Sequence, residues 1–223
     1  MIGTHGTGSP GVRERLVAAA TRQFAERGFD ATPIQAIADE VGITKPALLH
    51  HFPSKEHLRQ EVLSSILNHW SEKLPRLLLA ATASEDRFDT VFGEVYRFFA
   101  AEPDRARFIA REALDRPKEA RDLLRAVLPV IEAVASYIRA GQSHQRHYED
   151  ADATAYVIHV LLFIIGSVAL SPVVSPALGG GEAGRARYGR ELARMAKASL
   201  FGPAPASTRR AVSTARGRAG RKG

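Results

Sequence analysis

The chain has 223 residues and no cysteine. Disulfides, thiolate zinc sites and cysteine redox chemistry are therefore excluded together, and a reducing cytoplasm is the expected setting. Strand-like alternation bounded by turn residues is also missing, so no sheet is expected and the fold reads as all-α. No carboxylate pair, serine elbow, Walker motif or dinucleotide fingerprint occurs, so no enzyme and no cofactor are expected. The opening "MIGTHGTGSPGVRERL" has no apolar stretch of signal-peptide length. The one long uncharged run, Ala153 to Gly181, carries His159 in its middle with Pro172 and Pro176 soon after. It reads as a buried helix and a loop, not a membrane span.

What is present is apolar mass and a displaced charge. Hydrophobic residues make up 45% of the chain, enough for a substantial core. The net charge of +7 is concentrated in "STRRAVSTARGRAGRKG", residues 207–223, which holds Arg209, Arg210, Arg216, Arg218, Arg221 and Lys222 and no acid. Without them the chain has 25 basic and 24 acidic residues. Such a segment lacks the apolar bulk to order itself. The expected division is an arm over 1–9, a small helical unit over 10–54, a larger helical unit over 55–202, and a disordered basic tail over 203–223.

Helical periodicity fills the middle. Val12, Leu16, Ala20 and Phe24 recur every four residues until Gly28, after a start signal at Ser9 and Pro10. Thr32 is placed to cap a second helix, with Pro33 at its first position and Ile34, Ile37, Ala38 and Val41 as its stripe. Gly42 ends it, Thr44 caps a third helix of about seven residues, and Ser54 starts a fourth that Pro75 is expected to kink or end. Two short helices joined by a glycine turn form a helix-turn-helix pattern. Longer helices follow: one lined by Phe88 to Phe99, a short one with Phe108, one over about 118–140, then 153–170 and 183–200. "SPVVSPALGGG" is expected to be a loop.

The stretch "GITKPALLHHFPSKEHL" (42–58), preceded by "AAATRQFAERGFDATPIQAIADEVG" (18–42), resembles the TetR family of transcriptional repressors over roughly residues 11–60. The resemblance implies a homodimeric regulator that binds a double-stranded operator and responds to a small-molecule effector. The family usually carries a tyrosine that meets the DNA backbone where this chain has Leu49, so Leu49 is left to touch a thymine methyl or to pack.

The residues themselves support DNA reading. Thr44 and Lys45 furnish the N-terminal end of the third helix, where backbone N–H groups favour a phosphate, and His50 lies about a turn and a half further on. Lys55, and Thr32 with Pro33, are expected to meet the phosphate backbone. A metal cluster of His50, His51 and His57 is disfavoured, because spacings of one and six do not put three imidazoles on one helical face. His51 and Phe52 are expected to close the small core. His144 and His147 fall in a polar loop.

The resemblance also implies dimerisation through residues 153–170 and 183–200, where Gly166, Ser167 and Ala169 permit close helix approach. It further implies a ligand pocket, for which the candidates are His69, Phe92, Tyr96, Phe99, Phe108, Arg111, His159 and Phe163, with Phe88 and Glu112 nearby. Two other readings stay open on composition: a helical ligand carrier without DNA function, and an architectural nucleic-acid binder driven by the tail.

Overall fold

A computed structural model describes residues 11–80, 84–142 and 151–201, apart from the side chains of residues 71, 72, 74, 75, 77–80 and 84–86. The expectations for the N-terminal arm, Ser9 and Pro10, the loop with His144 and His147, and the basic tail lie outside the described residues. Among those residues the regular elements are helical, with no β-strand: α1 (Val12–Arg27), α2 (Ile34–Val41), α3 (Lys45–His51), α4 (Lys55–Ala80), α5 (Ser84–Ala101), α6 (Pro103–Asp115), α7 (Pro117–Gln142), α8 (Ala153–Ala169), α9 (Ser171–Val174), a 3-10 turn (Ser175–Leu178) and α10 (Gly181–Leu200).

Local chemistry explains the boundaries. Glu14 accepts a hydrogen bond from the Gly11 N–H at 2.9 Å and fixes the start of α1. Gly42 ends α2 at φ 78°, a left-handed backbone that a glycine adopts without penalty. Thr44 caps α3 by accepting from the Ala47 N–H, and Asp152 does the same for α8 through Ala155.

Two expectations are corrected. α4 continues through position 75 to Ala80 without ending there. The segment after α8 is not a loop but a helical turn and a 3-10 turn, with the chain bent by 61° from α8. No single helix among the described residues is long and apolar enough to cross a membrane.

The N-terminal helices are not closed by their own side chains. Leu16, Ala20, Phe24, Ile37, Leu48 and Phe52 share one core with Leu58 and Val62 of α4 and with Phe108 of α6. Phe24 and Phe108 stack with ring centroids 6.0 Å apart. α4 runs from this core into the rest of the chain, and α6 joins it: this helix lies directly along α1. A second core gathers Phe92, Phe99, Ile164, Ile165, Val168 and Leu192 from α5, α8 and α10.

Candidate nucleic-acid interface and ligand cavity

The N-terminal end of α3 faces solvent. Thr44, Lys45, Pro46, Ala47 and His50 are exposed, Leu49 is half-buried, and Leu48 alone on this helix is fully enclosed. One buried leucine anchors the helix while its opposite face remains open, as an element that enters a groove requires. Pro46 removes a backbone donor in the first turn, where no carbonyl is available for it. His51 is exposed, contrary to expectation, and Phe52 alone turns into the core. No group of three His, Cys, Asp or Glu residues among the described residues is arranged to hold a metal.

Two of the expected phosphate contacts are committed elsewhere. Thr32 is fully buried, and its hydroxyl donates to the carbonyl oxygens of Gly28 at 2.7 Å and Gln23 at 3.2 Å. It holds the end of α1 against the turn and does not cap α2. The N-cap is Pro33, which is exposed at that helix's mouth. Lys55 folds its ammonium over the Phe29 ring at 4.5 Å and donates to the carbonyls of Phe29, Asp30 and Thr32 at 2.8, 3.2 and 3.0 Å. Three donors on three carbonyls leave this lysine no proton for a phosphate.

The seam between the head (α1–α3 with the start of α4) and the rest of the chain is ionic. The Arg59 guanidinium, buried at 5% exposure, donates to Glu112 and to Glu56. Burial pushes the Glu112 carboxyl up, against the downward pull of Arg59. Arg116 covers the Phe29 ring at 4.5 Å and pairs with Glu119. Arg111, expected in a ligand pocket, instead donates to the Ala25 and Glu26 carbonyls at 2.8 and 3.0 Å. It satisfies the C-terminal end of α1, where unpaired carbonyls and the helix dipole favour a cation.

A cavity of about 710 Å³ lies between α4, α5, α7 and α8. Of the pocket candidates, Phe92 and Phe99 line it, and so does Phe88. The other candidates do not. Phe108 belongs to the head's core. His69 stacks on Phe98 with centroids 4.4 Å apart, outside the lining. Tyr96 packs against Gly189 of α10, with its hydroxyl 3.4 Å from the Arg185 carbonyl. His159 and Phe163 stack on each other on the exposed side of α8.

Sequence reasoning missed the α7 wall: Val127, Val130, Ile131, Val134, Tyr137 and Ile138. The signal was available in the apolar recurrence of that helix at spacings of three and four. It was not separable from the stripe of an ordinary core helix. Asn68 and Arg87, the polar groups on α4 and α5 that reach the cavity, carried no such signal.

A short helix held open on one anchoring leucine, set against the preceding helix by a glycine turn and joined to a larger helical body with a cavity, has the form of a helix-turn-helix. Residues 16–62 match the sequence profile of "Bacterial regulatory proteins, tetR family". This region is a TetR-family domain, as the resemblance implied. The HTH-type transcriptional repressor KstR2 of Mycolicibacterium smegmatis is 36% identical over 80 residues, 36% of this chain and 39% of the relative. The regulator RutR of Escherichia coli K12 is 40% identical over 58 residues, 26% of this chain and 27% of the relative. The aligned part thus spans about two fifths of those relatives' length or less.

Among solved structures, the ketosteroid regulator KstR2 of Mycobacterium tuberculosis superposes with a TM-score of 0.70 at 20% identity, over 88% of this chain and 98% of that one. A transcriptional regulator of Saccharomonospora viridis in complex with choline gives 0.65 at 21%, over 86% and 98%. These likenesses extend the fold to the whole described chain: an N-terminal helix-turn-helix on a helical C-terminal body.

Proposed function

We propose that the protein is a cytoplasmic, homodimeric transcriptional repressor, without enzymatic activity, that releases a double-stranded operator when a small apolar or amphipathic effector fills the cavity. The observation that carries this reading is the contrast on the head's surface. Thr32, Lys55 and Arg111 are spent on internal carbonyls, while Thr44, Lys45 and His50 stand exposed on α3. Lys45 donates to guanine O6 or N7 or to a phosphate, Thr44 to a phosphate or base edge, and Pro33 sits where the mouth of α2 meets the backbone. The names of the matching relatives, transcriptional repressors and regulators, agree.

The dimer is supported by an apolar face that the single chain leaves open. Leu162, Phe163, Leu170, Val173 and Met195, on α8 to α10, are each more than half exposed. A side chain added at Gly166 meets nothing within 4 Å, so this position also opens outward. A two-fold pairing of α8 and α10 covers that face and sets two reading heads at the spacing of successive major grooves, about 34–36 Å.

Selection of bound fragments from genomic DNA tests the reading. Lys45→Ala and Thr44→Ala are expected to fold and dimerise normally yet bind the selected operator roughly 10- to 100-fold more weakly. Wild-type affinity in both variants overturns the assignment.

A further inference from the structure

The outward side of α3 is poor in hydrogen-bonding groups. The helix holds no Arg, Asn or Gln, the side chains that pair in bidentate fashion with guanine or adenine. Between Lys45 and His50 stand Pro46, Ala47, Leu48 and Leu49, none of which has a side-chain donor or acceptor. Gln35, an exposed amide on α2, donates to Asp39 of its own helix at 2.6 Å.

One buried residue fixes how α3 is turned. Leu48 sits in the head's core at zero exposure. At about 100° per residue, Pro46 and His50 each project about 160° away from Leu48, next to one another on the far side of the helix. Ala47 and Leu49 flank them, and Pro46, Ala47 and His50 are all exposed. Lys45, three positions before Leu48, and His51, three after it, leave the helix on Leu48's side of the axis. The Thr44 hydroxyl oxygen accepts from the Ala47 N–H at 3.3 Å. The side opposite the anchor therefore consists of an apolar patch, Pro46 and Ala47, with the His50 imidazole beside it.

In the major groove the C5-methyl of thymine is the apolar group that a base edge presents, and side chains of alanine size pack on it. A G·C pair pressed against Pro46 and Ala47 offers no methyl, and its donors and acceptors lose water without gaining a partner. The His50 imidazole has an N–H to give to guanine N7 or O6.

We propose that α3 reads sequence with the side opposite Leu48: Pro46 and Ala47 on thymine methyl groups and His50 on a neighbouring guanine, while Lys45 holds a phosphate. This rests on the operator-binding reading above and gives each half-site of that operator a chemistry, thymine beside guanine.

The full-length protein and an operator selected from genomic DNA supply the test. Replacing each thymine in turn by deoxyuridine removes the C5-methyl and keeps the base pairing. At one or two thymines of a half-site this should weaken binding roughly 3- to 5-fold, the effect of one buried methyl group. Changing both half-sites should give about 10- to 25-fold, because a two-fold dimer makes the contact twice. At the same position, 5-methylcytosine·guanine should bind more tightly than cytosine·guanine.

Ala47→Gly should remove the deoxyuridine penalty at one of these thymines and keep it at the others, whereas a merely structural effect of the glycine would weaken every operator alike. His50→Ala should lose its preference at one guanine. Lys45→Ala should keep every preference and lose the same factor on operator and random DNA. Penalties that persist undiminished in Ala47→Gly, or a Lys45→Ala protein that relaxes its choice at one base pair, overturn the proposal. A selected operator indifferent to its thymine methyls sinks this inference alone, and failure to select any bound fragment sinks operator binding and the inference together.

Discussion

The head and the body of this protein handle their side chains in opposite ways. In the head several polar groups are tied to internal partners: Thr32 and Lys55 to turn carbonyls, Gln23 to the Ala36 carbonyl and to Glu40, while Arg111 of α6 reaches across to the end of α1. Its core is filled by large side chains at zero or near-zero exposure, Phe24, Leu16, Leu48 and Phe108 among them. The body instead leaves a cavity of about 710 Å³ unfilled and an apolar face on α8 to α10 uncovered. The proposed reading role needs a fixed geometry, and the proposed response to an effector needs room and surface for partners. The difference teaches that in the head the exposed groups of α3, Thr44, Lys45 and His50, say more than charges such as Lys55 that are folded onto internal carbonyls.

The seam where the two meet is the place to break this comparison most severely. Glu112→Ala leaves the Arg59 guanidinium buried with only Glu56 beside it, and losing one partner of a buried pair typically costs 3–5 kcal/mol. A loss of about 3 kcal/mol is expected, given the remaining carboxylate, read as a lowered urea midpoint. Wild-type stability refutes the claim that this pair holds head to body.

Covering the body's open face is the next test. Phe163→Glu places a charge on the exposed side of α8, where within one chain the ring stacks on the exposed His159. The variant should keep its helical content and sediment as a monomer at micromolar concentration, where the wild type is expected to sediment as a dimer. A dimeric variant places the interface elsewhere.

Lys55→Met sharpens the contrast within the head. It removes the donor from three carbonyls and should cost about 1–2 kcal/mol of stability. It should also leave the salt dependence of operator binding unchanged, whereas a phosphate contact would reduce the salt slope by about one. A shallower slope returns Lys55 to the DNA.

The smallest effect concerns pH. Burial works to raise the Glu40 carboxyl, but hydrogen bonds from Gln23 and Arg22 outweigh it and hold the group below its ordinary value of 4.5. A depressed folded-state value stabilises the protein above the unfolded carboxyl range, and that contribution disappears as pH falls through the lowered value. Glu40 is about a third exposed, so less than about 1 kcal/mol is at stake. Urea midpoints of wild type and Glu40→Gln should differ at pH 6, and the gap should narrow as pH falls below the ordinary carboxyl range. A gap that stays constant over that range removes the carboxylate from the account.

The head was legible because local rules dominate it. Gly28 and Gly42 as stops, Thr44 as a cap and the stripe from Ile34 to Val41 each depend on residues a few positions apart. The candidate pocket was less legible. Phe92 and Phe99 were found from an aromatic stripe that is buried on either account, and Phe108, on the same reasoning, went to the head's core. Arg111 and His159 are polar residues set among apolar neighbours in the sequence. Polarity does not say whether a group turns toward a cavity, a carbonyl or solvent. The helical turns of residues 171–178 escaped notice because two prolines read as breakers also suit the first turn of a short helix.

By itself the sequence determined the helical class, the helix-turn-helix and the exposed end of α3, because caps, turns and hydrophobic periodicity act over one or two helical turns. The tertiary structure decided which way each cation points, which stripe fills a core and which lines a void, and that α6 completes the head. Those outcomes depend on what lies opposite a residue after packing. Arg59 and Glu112 are 53 positions apart, and no local pattern carries that distance.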